Sequence, residues 1–155
     1  MTVTIRPAAK RDADTIADFN RAMAAETEDI RLDPATAAAG VTNLLDHADR
    51  GFYLIAEQAG RPVGQLMVTF EWSDWRNGFF WWVQSVYVAP EARRRGVFSS
   101  LLASLAAMAD GRPDVVGLRL YVHRHNAGAR AAYERLGWRH TDYDLYEYRP
   151  TAGRP

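Results

Sequence analysis

Two short stretches of this 155-residue chain carry residue types that hold anions and move protons. The first runs Val86-Tyr87-Val88-Ala89-Pro90-Glu91-Ala92-Arg93-Arg94-Arg95-Gly96-Val97-Phe98-Ser99. An apolar strand enters a basic turn and continues as an amphipathic helix. The opening N–H groups of a helix have no acceptor within it and, with the helix dipole, favour an anion. Gly96 lets ligand oxygens approach, and three arginines add positive potential. The plain alternative is a solvated turn at a tight corner. The second stretch runs from Asn126 to Trp138. Asn126 is placed to cap a helix. Tyr133 shares the apolar face of that helix with Ala129 and Leu136, where a phenol buries its ring and seeks a partner for its hydroxyl.

The elements that must position these residues are legible from periodicity. Alternation predicts strands near 3–6, 52–57, 63–72, 79–88, 115–122 and 138–148. Helical spacing predicts helices at 11–25, 35–48, 96–110 and 127–136. Residues 27–34 read as a break between the first two helices, and Pro34 suits a helix start. Gly51 and Gly137 suit helix stops. Asn77-Gly78 marks a turn. Strand runs followed by strand–helix–strand–helix–strand predict an α/β chain with a mixed α+β sheet and helices on both faces. Residues 1–149 read as a single domain and 150–155 as a flexible tail.

Together, in this order and at this separation, the two stretches resemble the GNAT superfamily of acetyl-CoA-dependent N-acetyltransferases. The family pattern Gln/Arg-x-x-Gly-x-Gly/Ala is matched by Arg93, Gly96 and the intervening Arg94 and Arg95, with Val97 next and Phe98 departing at the last position. The pattern Asn-x-x-Ala-x-x-x-Tyr-x-x-x-Gly-Phe/Trp is matched throughout by Asn126, Ala129, Tyr133, Gly137 and Trp138. The resemblance implies a central mixed, mostly antiparallel sheet flanked by about four helices and splayed between the fourth and fifth strands. It implies acetyl-CoA as cosubstrate and no metal. The backbone of Val86, Tyr87 and Val88 would line the pantetheine arm, as an added strand would. The pyrophosphate would rest on the turn from Arg93 and Arg94 through Arg95, Gly96, Val97 and Phe98 to Ser99. Asn126 would touch the cosubstrate, and Tyr133 would face its sulfur.

The implied chemistry is attack of an amine on the thioester. The amine sheds a proton and the departing thiolate gains one. Tyr133 is the candidate acid. An unperturbed phenol near 10 against a thiol near 8.5 makes full transfer unfavourable by roughly 2 kcal/mol, so hydrogen bonding to the sulfur with solvent as final donor fits equally well. Many family members place a Glu on the strand before the phosphate turn, where this chain has Gln84. Glu71, Glu28 and Glu26 are the candidate bases. Their alternatives are a solvated acidic turn and a water chain.

Composition narrows the field further. The chain has no cysteine, which excludes disulfides, thiolate metal sites and cysteine nucleophiles. His123 and His125 would share a face of an extended segment, but no third ligand stands out. Net charge is zero, and the bases of residues 93–139 are interrupted by apolar positions, which argues against a nucleic-acid partner. No apolar run reaches the roughly 20 residues of a membrane span, so a cytoplasmic protein is expected. Four of the five tryptophans, Trp72, Trp75, Trp81 and Trp82, fall within residues 72–82. An aromatic wall beside the acidic residues would suit a small-molecule or peptide amine. Exposed strand edges and a Trp-rich hairpin are compatible with a homodimer. The rival reading is a non-catalytic acyl-CoA-binding module of the same fold.

Overall fold

The computed structural model describes residues 2–151, so the expected tail lies outside the described residues from 152 onward. The elements in order are β1 (Thr4–Pro7), α1 (Ala13–Glu28), α2 (Pro34–Leu45), β2 (Gly51–Gln58), β3 (Arg61–Ser73), β4 (Gly78–Val88), α3 (Val97–Asp110), β5 (Val115–Leu120) and α4 (Ala127–Arg135). Short 3₁₀ turns occupy Lys10–Asp12 and Pro90–Ala92. The chain divides into two compact units, Met1–Tyr121 and Val122–Pro155.

The first unit holds a five-stranded sheet in sequence order, β1 to β5. Its neighbours are antiparallel except for β4 and β5, which run parallel. The strand pleat sends alternate side chains to opposite faces. On one face Tyr53 and Ile55 of β2 pack with Ile16 and Ala17 of α1 and with Val41 and Leu44 of α2. Alternation turns Leu54, Ala56, Leu66 and Val68, all buried, to the other face. There α3 lies against the sheet with Val97, Leu101, Leu102 and Leu105 buried. Each fully buried Leu or Ile contributes about 1.5–3 kcal/mol.

Local signals explain where elements begin and end. Pro34 opens α2 behind Asp33, whose side chain accepts from the Thr36 N–H at 2.8 Å. Helix α1 stops where Asp29 takes a left-handed φ of 52°. It therefore runs to Glu28, past the expected end at 25, and Glu26 and Glu28 sit on its last turn instead of in a loop. Gly51 is required at the start of β2, because a Cβ there would stand 2.0 Å from the Val68 carbonyl oxygen.

Arg6 ties the first strand to the first turn. Its guanidinium donates to both Asp12 oxygens at 2.8 Å and to Glu57 Oε1 at 2.6 Å. The Arg6 guanidinium holds the buried Asp12 carboxyl below the usual carboxylate range.

The second unit contains α4 and, among the described residues, no strand. The expected strand at 138–148 is not formed. Its alternation is loose, a strand needs a hydrogen-bonding neighbour, and Tyr143, Leu145, Tyr146 and Tyr148 stay exposed. The fifth strand likewise ends at Leu120, short of the expected 122.

Candidate active site

The strand that leads into the basic turn is paired on only part of one side. The parallel ladder between β4 and β5 runs from Phe79↔Val115 to Val83↔Leu120 and ends there. Strand β4 continues to Val88. On its other side β4 stays paired with β3 through Gly64↔Val88. The splay expected between the fourth and fifth strands is this open segment, Gln84 to Val88.

A bulge sits inside the open segment. Gln65 pairs with Tyr87 and Met67 with Gln84, so β4 carries one extra residue there. Ser85 absorbs it at a φ of 50°. An L residue in that conformation is strained, and a bulge re-aims the peptide groups around it. Behind the bulge, Gln65 is fully buried and donates from Nε2 to Asn20 Oδ1 of α1 at 2.7 Å. The Gln65 Oε1 is buried with no hydrogen-bond partner among the described residues. The sequence held a signal for this pair: a Gln inside an apolar strand and an Asn on the apolar face of a helix.

Past Val88 the chain turns through Pro90–Ala92 to the arginines. Arg94 has a φ of 59° and Gly96 a φ of 81°. Gly96 occupies the N-cap of α3 and, being glycine, contributes no capping side chain of its own. The first bond of the helix runs from the Ser100 N–H to the Gly96 carbonyl at 2.9 Å. The amides of the opening turn therefore precede the helical ladder. Phe98 is half-buried within that turn. Gly64 of β3 brings this corner close to the sheet, since a Cβ on it would lie 2.9 Å from the Tyr87 carbonyl oxygen and 3.2 Å from Val97 Cγ1.

The candidate carboxylates are held by different partners. Glu26 Oε2 accepts from Arg93 Nη2 at 2.6 Å, and Glu26 Oε1 accepts from the Tyr87 hydroxyl at 3.4 Å. Burial, with the Glu26 charge behind it, pushes the Tyr87 phenol up. Arg93 Nε also donates to the Val88 carbonyl at 2.8 Å. Glu71 accepts from Arg119 Nη1 at 2.9 Å, and that guanidinium stacks 3.6 Å from the centre of the Phe80 ring. Glu28 is exposed at the end of α1.

The tryptophans do not form one wall, because the pleat divides them. Trp81 is buried beside Phe52 on the α3 face. Trp72 contacts Phe79, and Trp75 is exposed in the turn. Trp82 pairs opposite Thr69, two residues from Glu71, and therefore shares the face of Glu71. Its ring lies 5.6 Å from that of Tyr121.

Asn126 and Tyr133 belong to the second unit. Asn126 caps α4, its Oδ1 accepting from the Ala129 N–H at 3.1 Å. The Tyr133 ring lies 5.8 Å from that of Trp138. Burial pushes the Tyr133 phenol up to about 12. Among the described residues no group of three or more His, Asp and Glu is placed to hold a metal ion. No helix among them is long and apolar enough to cross a membrane.

Comparison with known families matches residues 14–138 to the model described as Acetyltransferase (GNAT) family. The chain belongs to this GNAT acetyltransferase family. This acetyltransferase is 43% identical to a possible acetyltransferase from Clostridium difficile 630, with a TM-score of 0.92 over 97% of this chain and 99% of that one. The ribosomal-protein-alanine N-acetyltransferase from Brucella melitensis biovar Abortus 2308 shares the fold at 22% identity and a TM-score of 0.76, covering 96% and 99% of the two chains. AAC(6')-Iy in complex with the bisubstrate analog CoA-S-monomethyl-acetylneamine shares it at 16% identity and a TM-score of 0.75, covering 97% and 99%. A search of curated proteins gave no match. The GNAT acetyltransferase thus has the expected mixed, mostly antiparallel sheet, with five strands among the described residues and β4 running beyond its ladder with β5.

Proposed function

We propose that this acetyltransferase moves the acetyl group of acetyl-CoA to the amine of a small molecule or peptide by direct attack in a ternary complex. The observation that carries the reading is the edge of β4 that β5 leaves beyond Val83, running through the Ser85 bulge into the Gly96 start of α3. An extended amide-bearing arm pairs with such an edge as a strand would. In this reading Val86, Tyr87 and Val88 line the pantetheine arm. The pyrophosphate lies along the turn from Arg93 to Ser99, where backbone amides and Arg94, Arg95 and Gly96 favour an anion. The family match spans both units, which supports treating residues 1–149 as one catalytic domain.

The amine nitrogen attacks the thioester carbon, the C–S bond breaks, and an amide forms. A backbone N–H at the bulge stabilises the developing oxyanion. Asn126 and Tyr133 keep the roles that the family pattern gives them, contact with the cosubstrate and with its sulfur. With its phenol near 12, Tyr133 is a poor source of a whole proton for a thiolate whose conjugate acid lies near 8.5. Tyr133 therefore donates a hydrogen bond to the departing sulfur, and water completes the protonation.

Three carboxylates remain for the amine's proton. Glu71 lies opposite Phe80, about 16 Å along the strand from Ser85 at roughly 3.3 Å per residue. Glu26 is linked by Tyr87 and Arg93 to the open segment itself, and Glu28 follows it on the same helix turn. The register favours Glu26 and Glu28 for proton transfer. Glu71 with Trp82 instead offers a carboxylate and an aromatic surface to a cationic amine body.

Isothermal titration with coenzyme A, followed by thiol release from acetyl-CoA with a panel of aliphatic and aromatic amines, tests the reading. Binding of coenzyme A and amine-dependent thiol release are expected. Absence of coenzyme A binding would overturn it, and binding without turnover would leave a non-catalytic acyl-CoA module.

A further inference from the structure

The end of the β4 edge is already occupied by a side chain of the protein. The Ala89 N–H donates to the Val63 carbonyl on β3 at 2.9 Å. In an antiparallel ladder successive residues alternate the side to which their peptide groups point. Val88 therefore turns its carbonyl away from β3, to the side that β5 leaves open beyond Val83. Arg93 Nε takes that carbonyl at 2.8 Å. The same guanidinium is held from the helix side by Glu26 at 2.6 Å, and it lies 5.6 Å from the centre of the Tyr87 ring.

We propose that Glu26 and Arg93 form a latch across the end of the β4 edge, which the cosubstrate arm must open in order to pair there. The inference rests on the acetyl-CoA reading above and adds a positioning role for Glu26, exerted through Arg93. An added strand needs the peptide groups that face the open side, and Val88 offers its carbonyl only when Arg93 lets go. Glu26 sets how readily that happens, because it supplies the second anchor of the guanidinium. Binding of the arm thus releases two groups at once: a guanidinium next to the phosphate turn, and a carboxylate on the last turn of α1. Both are partly solvated, with side-chain exposures of 42% for Arg93 and 40% for Glu26, so the latch is a light one.

The test compares coenzyme A binding to the wild-type protein, to Glu26→Gln and to Glu91→Gln. Glu91 lies in the turn before Arg93 and removes one negative charge near the phosphates without touching the pair. Glu26→Gln should tighten coenzyme A by about threefold, the size of an exposed ion pair, and should speed association. Glu91→Gln should have a clearly smaller effect. Equal tightening in both variants would reduce Glu26 to a bulk charge and overturn the latch, as would weaker binding in Glu26→Gln. A second readout is hydrogen exchange at the Arg93 Nε–H by NMR. It should be slow in the free wild-type protein and faster in Glu26→Gln, and identical exchange in the two would overturn the pair. A wild-type protein that ignores coenzyme A would sink the acetyl-CoA reading itself, an outcome distinct from binding that does not respond to Glu26.

Discussion

Val83 and Leu120 form the last rung between β4 and β5, and β4 runs on to Val88 without β5 beside it. The bulge at Ser85 falls two residues past that rung. Where the sheet opens, the backbone is also bent, and both features bear on how an extended ligand pairs there.

Ser85→Pro should abolish this geometry, because proline fixes φ near −65° while Ser85 sits at +50°. A loss of acetyl-transfer activity of at least a hundredfold is expected, with destabilisation of about 1–3 kcal/mol. Ser85→Gly accepts the same φ without strain and should keep both fold and turnover. Steady-state kinetics and urea unfolding of the two variants check this, and equal activity in both would remove the bulge from the mechanism.

Gly96 has a φ of 81°, and among the described residues nothing lies within 4 Å of a Cβ built on it. Strain, not crowding, should therefore govern substitutions here. Gly96→Val should weaken coenzyme A binding about tenfold, since an L side chain in this region costs roughly 1–2 kcal/mol and the turn will relax. Gly96→Asn, which tolerates left-handed backbone, should stay near the wild-type Kd. Calorimetry with coenzyme A separates the two.

Tyr133→Phe should lower turnover by one to two orders of magnitude while leaving coenzyme A affinity unchanged, and an intact rate would show that the hydroxyl has no part in the reaction. The same variant has a signature in stability. Burial raises the phenol to about 12 in the folded protein, above its unfolded value near 10. The folded state therefore holds this proton more tightly. Its stabilising contribution is complete below pH 10 and is lost as pH climbs from 10 towards 12. Tyr133→Phe should flatten that alkaline decline in unfolding curves.

Asp12→Asn should lower stability by about 3 kcal/mol, because it leaves the Arg6 guanidinium without its bidentate partner in a largely buried site. Arg6 depresses the Asp12 carboxyl in the folded state. The stability it contributes is present above the unfolded aspartate value near 3.9 and is lost as pH falls below it. Thermal unfolding between pH 2 and 7 should show a shallower acid decline in the variant. Coenzyme A affinity at neutral pH should not change, since Arg6 and Asp12 lie on β1 and the turn after it, apart from the basic turn.

The order of elements was readable because it depends on local chemistry. Helix α3 announces itself through Val97, Leu101, Leu102 and Leu105 on one face. The Asn126 cap follows from a side chain that bonds an amide three residues on. The strand at 138–148 was misread because a period of two shows only that a segment suits a sheet. It does not show that a neighbouring edge is there to pair with it.

By itself, the sequence determined the helices, five of the strands, and the arginine-to-helix turn, all properties of residues close in the chain. It also carried the family, through spacings that need no coordinates to count. Only the tertiary structure decided where β5 stops pairing with β4, which residue takes the bulge, and which tryptophan shares a face with Glu71. Only the tertiary structure joined Glu26 to Arg93, 67 residues apart in the chain. Hydrogen-bond register and ion pairing across such separations depend on the summed packing of the whole sheet, and no short window of residue types contains that sum.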